Sequence, residues 1–303
     1  MRQGAGDRVG LGWRGELAAG IFEHIERLDV LEVIAEDWLH APRRETDALA
    51  DLARMRPLWL HGVSLGLASS GPVAGARLSR LARLVERVRP QAWSEHLAFV
   101  RAGGVEIGHL AAPPRASATA EGALANLRRA AETVGTLPAV ENIATLLEPP
   151  GSTMDEPEWI RAIVRGSGAA MLLDLHNLYA NALNFGRSPL ELLEAMPVER
   201  VTMVHISGGR WIQHESGTLR LLDDHLHDVP AAVYTLLEAL ARLAPQPLAV
   251  IVERDGNYPQ FGALMAELER ARSALARGRS ACGRSASDAI APDVPMKVAE
   301  GAA

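Results

Sequence analysis

The feature that most constrains this chain is a repeat: short apolar runs recur at roughly 20 to 40 residue spacings, each followed by a segment with helical periodicity. Alternation of that kind builds a parallel sheet covered by helices. Eight runs are legible, namely Arg8–Trp13, Asp29–Glu36, Pro57–Val63, Ala92–Phe99, Pro138–Ile143, Ala169–Asp174, Arg200–Ile206 and Pro247–Glu253. Helices are expected over Leu78–Val88, Ala118–Thr133, Glu156–Val164, Ala231–Leu243 and Phe261–Leu275, where apolar residues repeat at three and four. Asp155-Glu-Pro and Asp228-Val-Pro read as helix starts, each with an acid to cap free amides and a proline in the first turn.

Eight units in succession predict an α/β chain folded as one (β/α)8 TIM barrel. An open doubly wound sheet is disfavoured because no phosphate-binding glycine fingerprint follows the first strand. Gly10-Leu-Gly12 lies inside that strand without a third glycine, and reads as barrel packing. Residues 1–275 are expected to form this single domain. Leu97–Gly108 reads as a small hairpin turning at Gly103-Gly104. The Ala, Arg, Ser and Gly-rich segment 276–303 lacks a periodic apolar face and is expected to be a disordered tail.

An apolar fraction of 48% over 303 residues suffices for a substantial core. The formal charge of -6, with no long basic block, argues against nucleic acid or an anionic membrane as partner. No stretch reaches the roughly 18 continuous apolar residues of a membrane-spanning helix. The single cysteine, Cys282, has no partner for an internal disulfide, and the first residues lack a signal-peptide core, so the protein is expected in the cytoplasm.

Ten histidines stand beside only three tyrosines and four phenylalanines, and several follow apolar runs. Barrel sites are built at the carboxyl ends of strands. Run three ends in His61, run four in His96, run five in Glu141, run six in Asp174 with His176 and Asn177, run seven in His205 and run eight in Glu253. One such histidine reads as a packing residue. Six successive strand ends do not, because acids and imidazoles crowded at one mouth stay costly unless a cation joins them.

The mixed imidazole and carboxylate set, without thiolate, suits iron, manganese or zinc. A single catalytic ion takes about three protein ligands, so this many candidates imply at least two ions bridged by a carboxylate. Leu221–Asp228 adds a second cluster, in which Asp223 with His225, or Asp224 with His227, are further candidate ligands. The alternative there is a polar loop ending in a cap at Asp228. His24, His40 and His109 read as solvated or packing residues, and Ser207-Gly-Gly-Arg210 as either an anion cradle or a tight turn. Ser64 and Ser94 lack the Gly-x-Ser-x-Gly elbow of a serine hydrolase.

The motifs Leu60-His-Gly-Val-Ser-Leu65, Ser94-Glu-His-Leu97, Val140-Glu-Asn142, Leu173-Asp-Leu-His-Asn177, Val204-His-Ile-Ser-Gly208, Asp223-Asp-His225 and Val252-Glu-Arg-Asp255 occur in that order. Together they resemble the multinuclear non-heme iron-dependent oxidases, formerly domain of unknown function 692. That family includes the iron subunit of the methanobactin biosynthetic complex. The resemblance spans roughly Gly10 to Leu268.

It implies a (β/α)8 barrel with two or three iron ions that uses dioxygen to modify ribosomally made peptides, commonly at cysteine. A precursor peptide and a small leader-binding partner protein are implied with it. His61, His96 and Glu141 resemble the first iron site, with Glu141 bridging. Asp174, His205 and Glu253 resemble the second, and Asn177, Asp223 and His225 a more labile third. Asp255 and Asn257, just past run eight, are candidate substrate or proton-handling groups.

The chain departs from the pattern at His176, where many members carry asparagine, and at Glu253-Arg-Asp, where others carry Glu-Trp-Asp. Two rival readings use the same ligands. One is a divalent-metal sugar isomerase or phosphodiester hydrolase that works without oxygen. The other is a metal-binding scaffold subunit without catalysis.

Overall fold

The eight apolar runs form eight parallel strands: β1 (Arg8–Gly12), β2 (Leu31–Ile34), β3 (Leu58–Gly62), β4 (Ala92–His96), β5 (Ala139–Glu141), β6 (Met171–Asp174), β7 (Val201–Ile206) and β8 (Ala249–Val252). Each pairs with its neighbours in the sequence and β8 pairs with β1, so the expected barrel closes without a free edge. This computed structural model describes residues 6–69, 71–102, 105–213 and 217–281. The strands are almost wholly buried because helices cover the outer face of the sheet and the barrel interior covers the other.

That interior has two layers with different chemistry. Val30, Trp59, Ala139, Leu172, Met203, Ala249 and Ile251 form an apolar cluster distinct from the larger core between strands and helices. Strand side chains alternate with a period of two, so the residue two places further along points into the same interior. Those residues are Glu32 after Val30, His61 after Trp59 and Glu141 after Ala139. Asp174 follows Leu172, His205 follows Met203 and Glu253 follows Ile251 in the same way. The apolar layer is therefore the floor on which a polar layer stands.

The helix Ala231–Leu243 has the expected bounds, and the others run past theirs, over Gly75–Val88, Ser117–Val134, Glu156–Ser167 and Phe261–Ser280. Asp155 caps its helix as expected. Its side chain accepts from the Glu158 N–H at 2.9 Å, and the Glu158 carboxylate accepts from the Asp155 N–H at 3.1 Å. Asp228 does not cap the Ala231–Leu243 helix. That helix follows Pro230 without a side-chain cap, because Asp228 is drawn into an ion pair with the buried Arg254.

The last helix continues past residue 275 to Ser280. Arg279 anchors this extra turn to Asp7 at 2.7 Å, and Gly278 lets it approach the Glu238 carbonyl closely. Residues 282–303, including Cys282, lie outside the described residues.

Two hairpins rise from the carboxyl ends of the barrel. The expected one pairs Phe99–Ala102 with Val105–Ala111, and its turn residues 103 and 104 lie outside the described residues. A second, not anticipated, pairs Gly209–Gln213 with Leu219–Asp223. Ser207–Arg210 thus leads into a strand instead of turning, and Asp223 ends a strand instead of sitting in an open loop. Among the described residues no helix is long and apolar enough to cross a membrane.

Gly10 packs as the sequence implied. A Cβ added there would lie 1.8 Å from the Val30 carbonyl oxygen, which belongs to the backbone and has little room to yield. Gly10→Ala is expected to lower unfolding stability by about 3 kcal/mol in denaturant titration, the upper end of ordinary overpacking costs. A loss below about 1 kcal/mol would show that the strand can shift.

Candidate metal centre

Strand register brings the polar layer together pairwise. His61 lies opposite Ser94, His96 opposite Glu141, and Asp174 opposite His205. All of them are buried, as are Glu32, Asn177 and Glu253. The two hairpins and the Ile143–Pro150 segment wall a cavity of about 720 Å³ above them, whose floor includes His61, His96, Glu141 and Glu253. A depression of about 840 Å³ between helices Arg43–Met55 and Gly75–Val88 lies on the outer wall, away from this layer.

Several of the candidate ligands are held by one end. His61 Nδ1 lies 2.9 Å from Ser94 Oγ, and His96 Nδ1 lies 3.2 Å from the Gly62 carbonyl. Asp174 Oδ1 accepts from the Asn177 N–H at 2.6 Å, capping the helix Leu175–Asn184. Asn177 donates its amide to the Asn142 carbonyl at 3.1 Å. His225, in a left-handed backbone conformation at φ 55°, turns Nδ1 to Asp255 at 3.2 Å.

The other ends converge. His61 Nε2 and His96 Nε2 lie 3.4 Å and 3.1 Å from Glu141 Oε2. His205 Nδ1 lies 3.2 Å from Glu141 Oε1 and 3.1 Å from Glu253 Oε2. His225 Nε2 lies 2.9 Å from Asp223 Oδ2. Yet Glu141 Oε2, His205 Nδ1, His225 Nε2, Asp174 Oδ2 and Asn177 Oδ1 are buried and make no hydrogen bond among the described residues. Polar atoms this close but misaligned for hydrogen bonding are side by side, as ligands of a common ion would be.

Four groups have ligand atoms within 4.8 Å of one another: Glu32, His61 and His205; His61, His96 and Glu141; Glu141, Asp174 and His205; and Asp174, His225 and Glu253. Glu141 is shared between two of them, and so is Asp174.

The electrostatics of the cluster favour added positive charge. Burial pushes the His61 imidazole down to about 3, which keeps it neutral with its lone pair free. Asp174 is pushed well above the carboxylate range by burial and then by the negative charge of Asp223 and Glu141. Burial also lowers His205, but Glu253, Glu32 and Glu141 outweigh it and hold the imidazole well above its usual range. Carboxylates that stabilise a proton there would stabilise a metal cation in the same way.

The expected residues do not all join. Asp224 and His227 lie 2.9 Å from each other, and Arg210 lies 3.2 Å from Asp224, so this pair forms a contact of its own. Asp255 sits at the mouth, where Arg14 Nε donates to it at 2.9 Å. Asn257 occupies a left-handed turn at φ 46°. His24 bonds its own helix through the Gly20 carbonyl at 3.0 Å, and His109 bonds the Ile107 carbonyl at 3.0 Å. Ser64 accepts from Arg77 at 3.0 Å.

Glu32 joins the cluster although it does not terminate an apolar run. It lies inside β2 opposite Trp59, whereas His61 lies opposite Ile34 two residues further on, and its Oε1 is 2.8 Å from His205 Nε2. An acid flanked by Leu31 and Val33 in a buried strand is the sign of it in the sequence.

Fold and cluster define a closed parallel barrel with a candidate metal centre at the carboxyl ends of its strands. Over residues 8–276 the chain matches the family described as RiPP precursor modification enzyme MbnB/TglH/ChrH, and it belongs to that family. A UPF0276 protein of Streptomyces avermitilis is 36% identical over 275 residues, covering 88% of this chain and 55% of that protein. The chain therefore spans about half the length of that relative. UPF0276 protein AM1_3026 of Acaryochloris marina is 31% identical over 272 residues, covering 89% of this chain and 96% of that one. Among solved structures, an L-ribulose 3-epimerase aligns with a TM-score of 0.58 at 13% identity, covering 90% of this chain and 96% of that chain. At that identity the likeness concerns the fold alone.

Asn142 stitches the centre to its scaffold. Its amide donates to the Asp174 carbonyl at 3.0 Å and its carbonyl accepts from the Asp174 N–H at 2.9 Å. Asn142→Ala would leave the buried Asp174 N–H without this acceptor, while the Asp174 carbonyl, at the helix N-cap, keeps its intrahelical bond, so a loss of about 2 kcal/mol is expected in urea unfolding of the metal-free protein. An unchanged midpoint would contradict this.

Proposed function

We propose that this chain is a multinuclear iron-dependent oxidase that uses dioxygen to modify a ribosomally synthesised precursor peptide at cysteine. The observation that carries the reading is the set of buried, unpartnered donor atoms converging from Glu141, Asp174, Asn177, His205 and His225. Their donor set, nitrogen and carboxylate oxygen without sulfur, fits iron. Membership of a RiPP precursor modification family supports a peptide as the substrate.

His61, His96 and Glu141 would hold one ion; Glu141, Asp174, His205 and Glu253 a second; and Asn177, Asp223 and His225 a third. Bound iron, with dioxygen as oxidant, supplies the redox chemistry. The chain supplies position and exclusion of water. Ser94 and the Gly62 carbonyl fix the rings of His61 and His96, while Glu32 lies behind His205 where an outer carboxylate orients a ligating imidazole.

Ile143, Leu146, Leu147 and Phe99 give the cavity apolar walls that receive a peptide side chain and displace water from around it. Asp255 stands at the entrance. Burial pushes its carboxyl up, but the hydrogen bond from His225 and the charge of Arg14 more than offset this and hold it below its usual range. It is thus an ionised acceptor for substrate N–H groups at neutral pH. A small partner protein presenting the leader of the precursor belongs to the same proposal.

Protein loaded anaerobically with ferrous iron is expected to hold at least two ions per chain by elemental analysis. Glu141→Ala, which removes the shared carboxylate, is expected to lower that number and abolish oxygen uptake in the presence of precursor peptide. Turnover of the peptide under anaerobic conditions with zinc or manganese would defeat the oxidase reading.

A further inference from the structure

His176 is a buried polar residue beside the centre that the proposed ligand sets leave unused. It occupies the first turn of the helix Leu175–Asn184 and is 1% exposed. Its Nδ1 lies 2.7 Å from Asp223 Oδ1 in hydrogen-bond geometry. An ionised carboxylate only accepts, so Nδ1 carries the proton, an assignment made from the partner. Nε2 is buried with no hydrogen-bond partner among the described residues.

The ring is held from behind by the second hairpin. A Cβ added at Gly209 would lie 2.6 Å from His176 Cε1 and 2.2 Å from the Leu222 carbonyl, so the hairpin backbone is in close contact with the imidazole. Ser207 Oγ donates to the same Asp223 Oδ1 at 3.3 Å. Both protein contacts of the Asp223 carboxylate that have hydrogen-bond geometry therefore fall on Oδ1. Oδ2 is left beside His225 Nε2 at 2.9 Å, an atom that makes no hydrogen bond.

We infer that His176 is a positioning residue: it pins one oxygen of Asp223 so that the other, with His225, faces the third ion, an inference that rests on the metal-centre reading above. Asp223 lies on a hairpin strand and not on a barrel strand, so barrel register alone does not aim it. His176 follows directly from β6, two residues after Asp174, which the proposed ligand sets assign to the neighbouring second ion. It thus ties the hairpin to the rigid part of the centre. Outer partners of this kind are worth about 10- to 100-fold in metal affinity.

Two substitutions separate positioning from packing. His176→Leu fills a similar volume without a donor, whereas His176→Asn is smaller but places an amide donor close to where Nδ1 stood. Each variant and the wild-type chain are loaded anaerobically with ferrous iron, and the ions retained against a graded chelator are counted, with no turnover required. The expected result is that His176→Leu loses the weakest-held ion at roughly 10- to 100-fold less chelator while the tighter ions stay. His176→Asn is expected to retain that ion as wild type does.

Retention of the weakest ion by His176→Leu, or its loss from His176→Asn, would overturn the positioning role in favour of packing. A wild-type chain that never holds more than two ions would overturn it as well, leaving the two-ion centre standing. A wild-type chain that holds none would remove the metal-centre reading and this inference together.

Discussion

Tethering at one end is the constraint on which the rest of the site depends. A carboxylate or imidazole buried in an apolar barrel is costly unless its polar atoms are paired. Here half of four of these groups is paired with the scaffold: His61 with Ser94, His96 with the Gly62 carbonyl, Asp174 with the Asn177 amide, and Asp223 with His176. The free halves all face one another. That division fixes rotamers before any ligand arrives and leaves the converging atoms as the part of the interior still in need of a partner.

Scaffold and site share one periodicity. The apolar layer of Trp59, Leu172, Met203 and Ile251 closes the barrel below, and the next inward position on each of those strands carries His61, Asp174, His205 or Glu253. A rigid floor of large side chains therefore sets the height of the polar atoms to within one pleat. The hairpins add what the strands lack, apolar walls and the carboxylate of Asp223. Loops that rise from a rigid sheet are where recognition usually resides, and Leu147, well exposed on one of them at 63%, is placed for it.

Much of this was legible along the chain. The eight strands, the first hairpin and the strand-end acids and histidines are local features, written in apolar runs and in the residues that terminate them. The Asp155 capping box is equally local, since both partners lie within four residues. The features that escape a local reading depend on distant partners. Asp228 has the sequence of a cap, but Arg254, buried 26 positions later, takes its carboxylate. The second hairpin has weak strand periodicity, and Gly208-Gly209 at its start reads equally as a tight turn or an anion cradle. Glu32 lies within a strand, where an acid draws notice only once His205 is known to stand across from it.

By itself the sequence determined the alternation of strand and helix, the closure of eight units into a barrel, and the residue types available at the mouth. These follow from short-range periodicity and from the cost of leaving apolar runs in water. Only the tertiary structure decided which atom of each side chain faces the centre, which acids are shared between groups, and that His176 stands behind Asp223 and not among the converging atoms. The reason is that orientation is set by the second partner of each group. Those partners come from other strands and from the hairpins, brought to hydrogen-bonding distance by closure of the barrel.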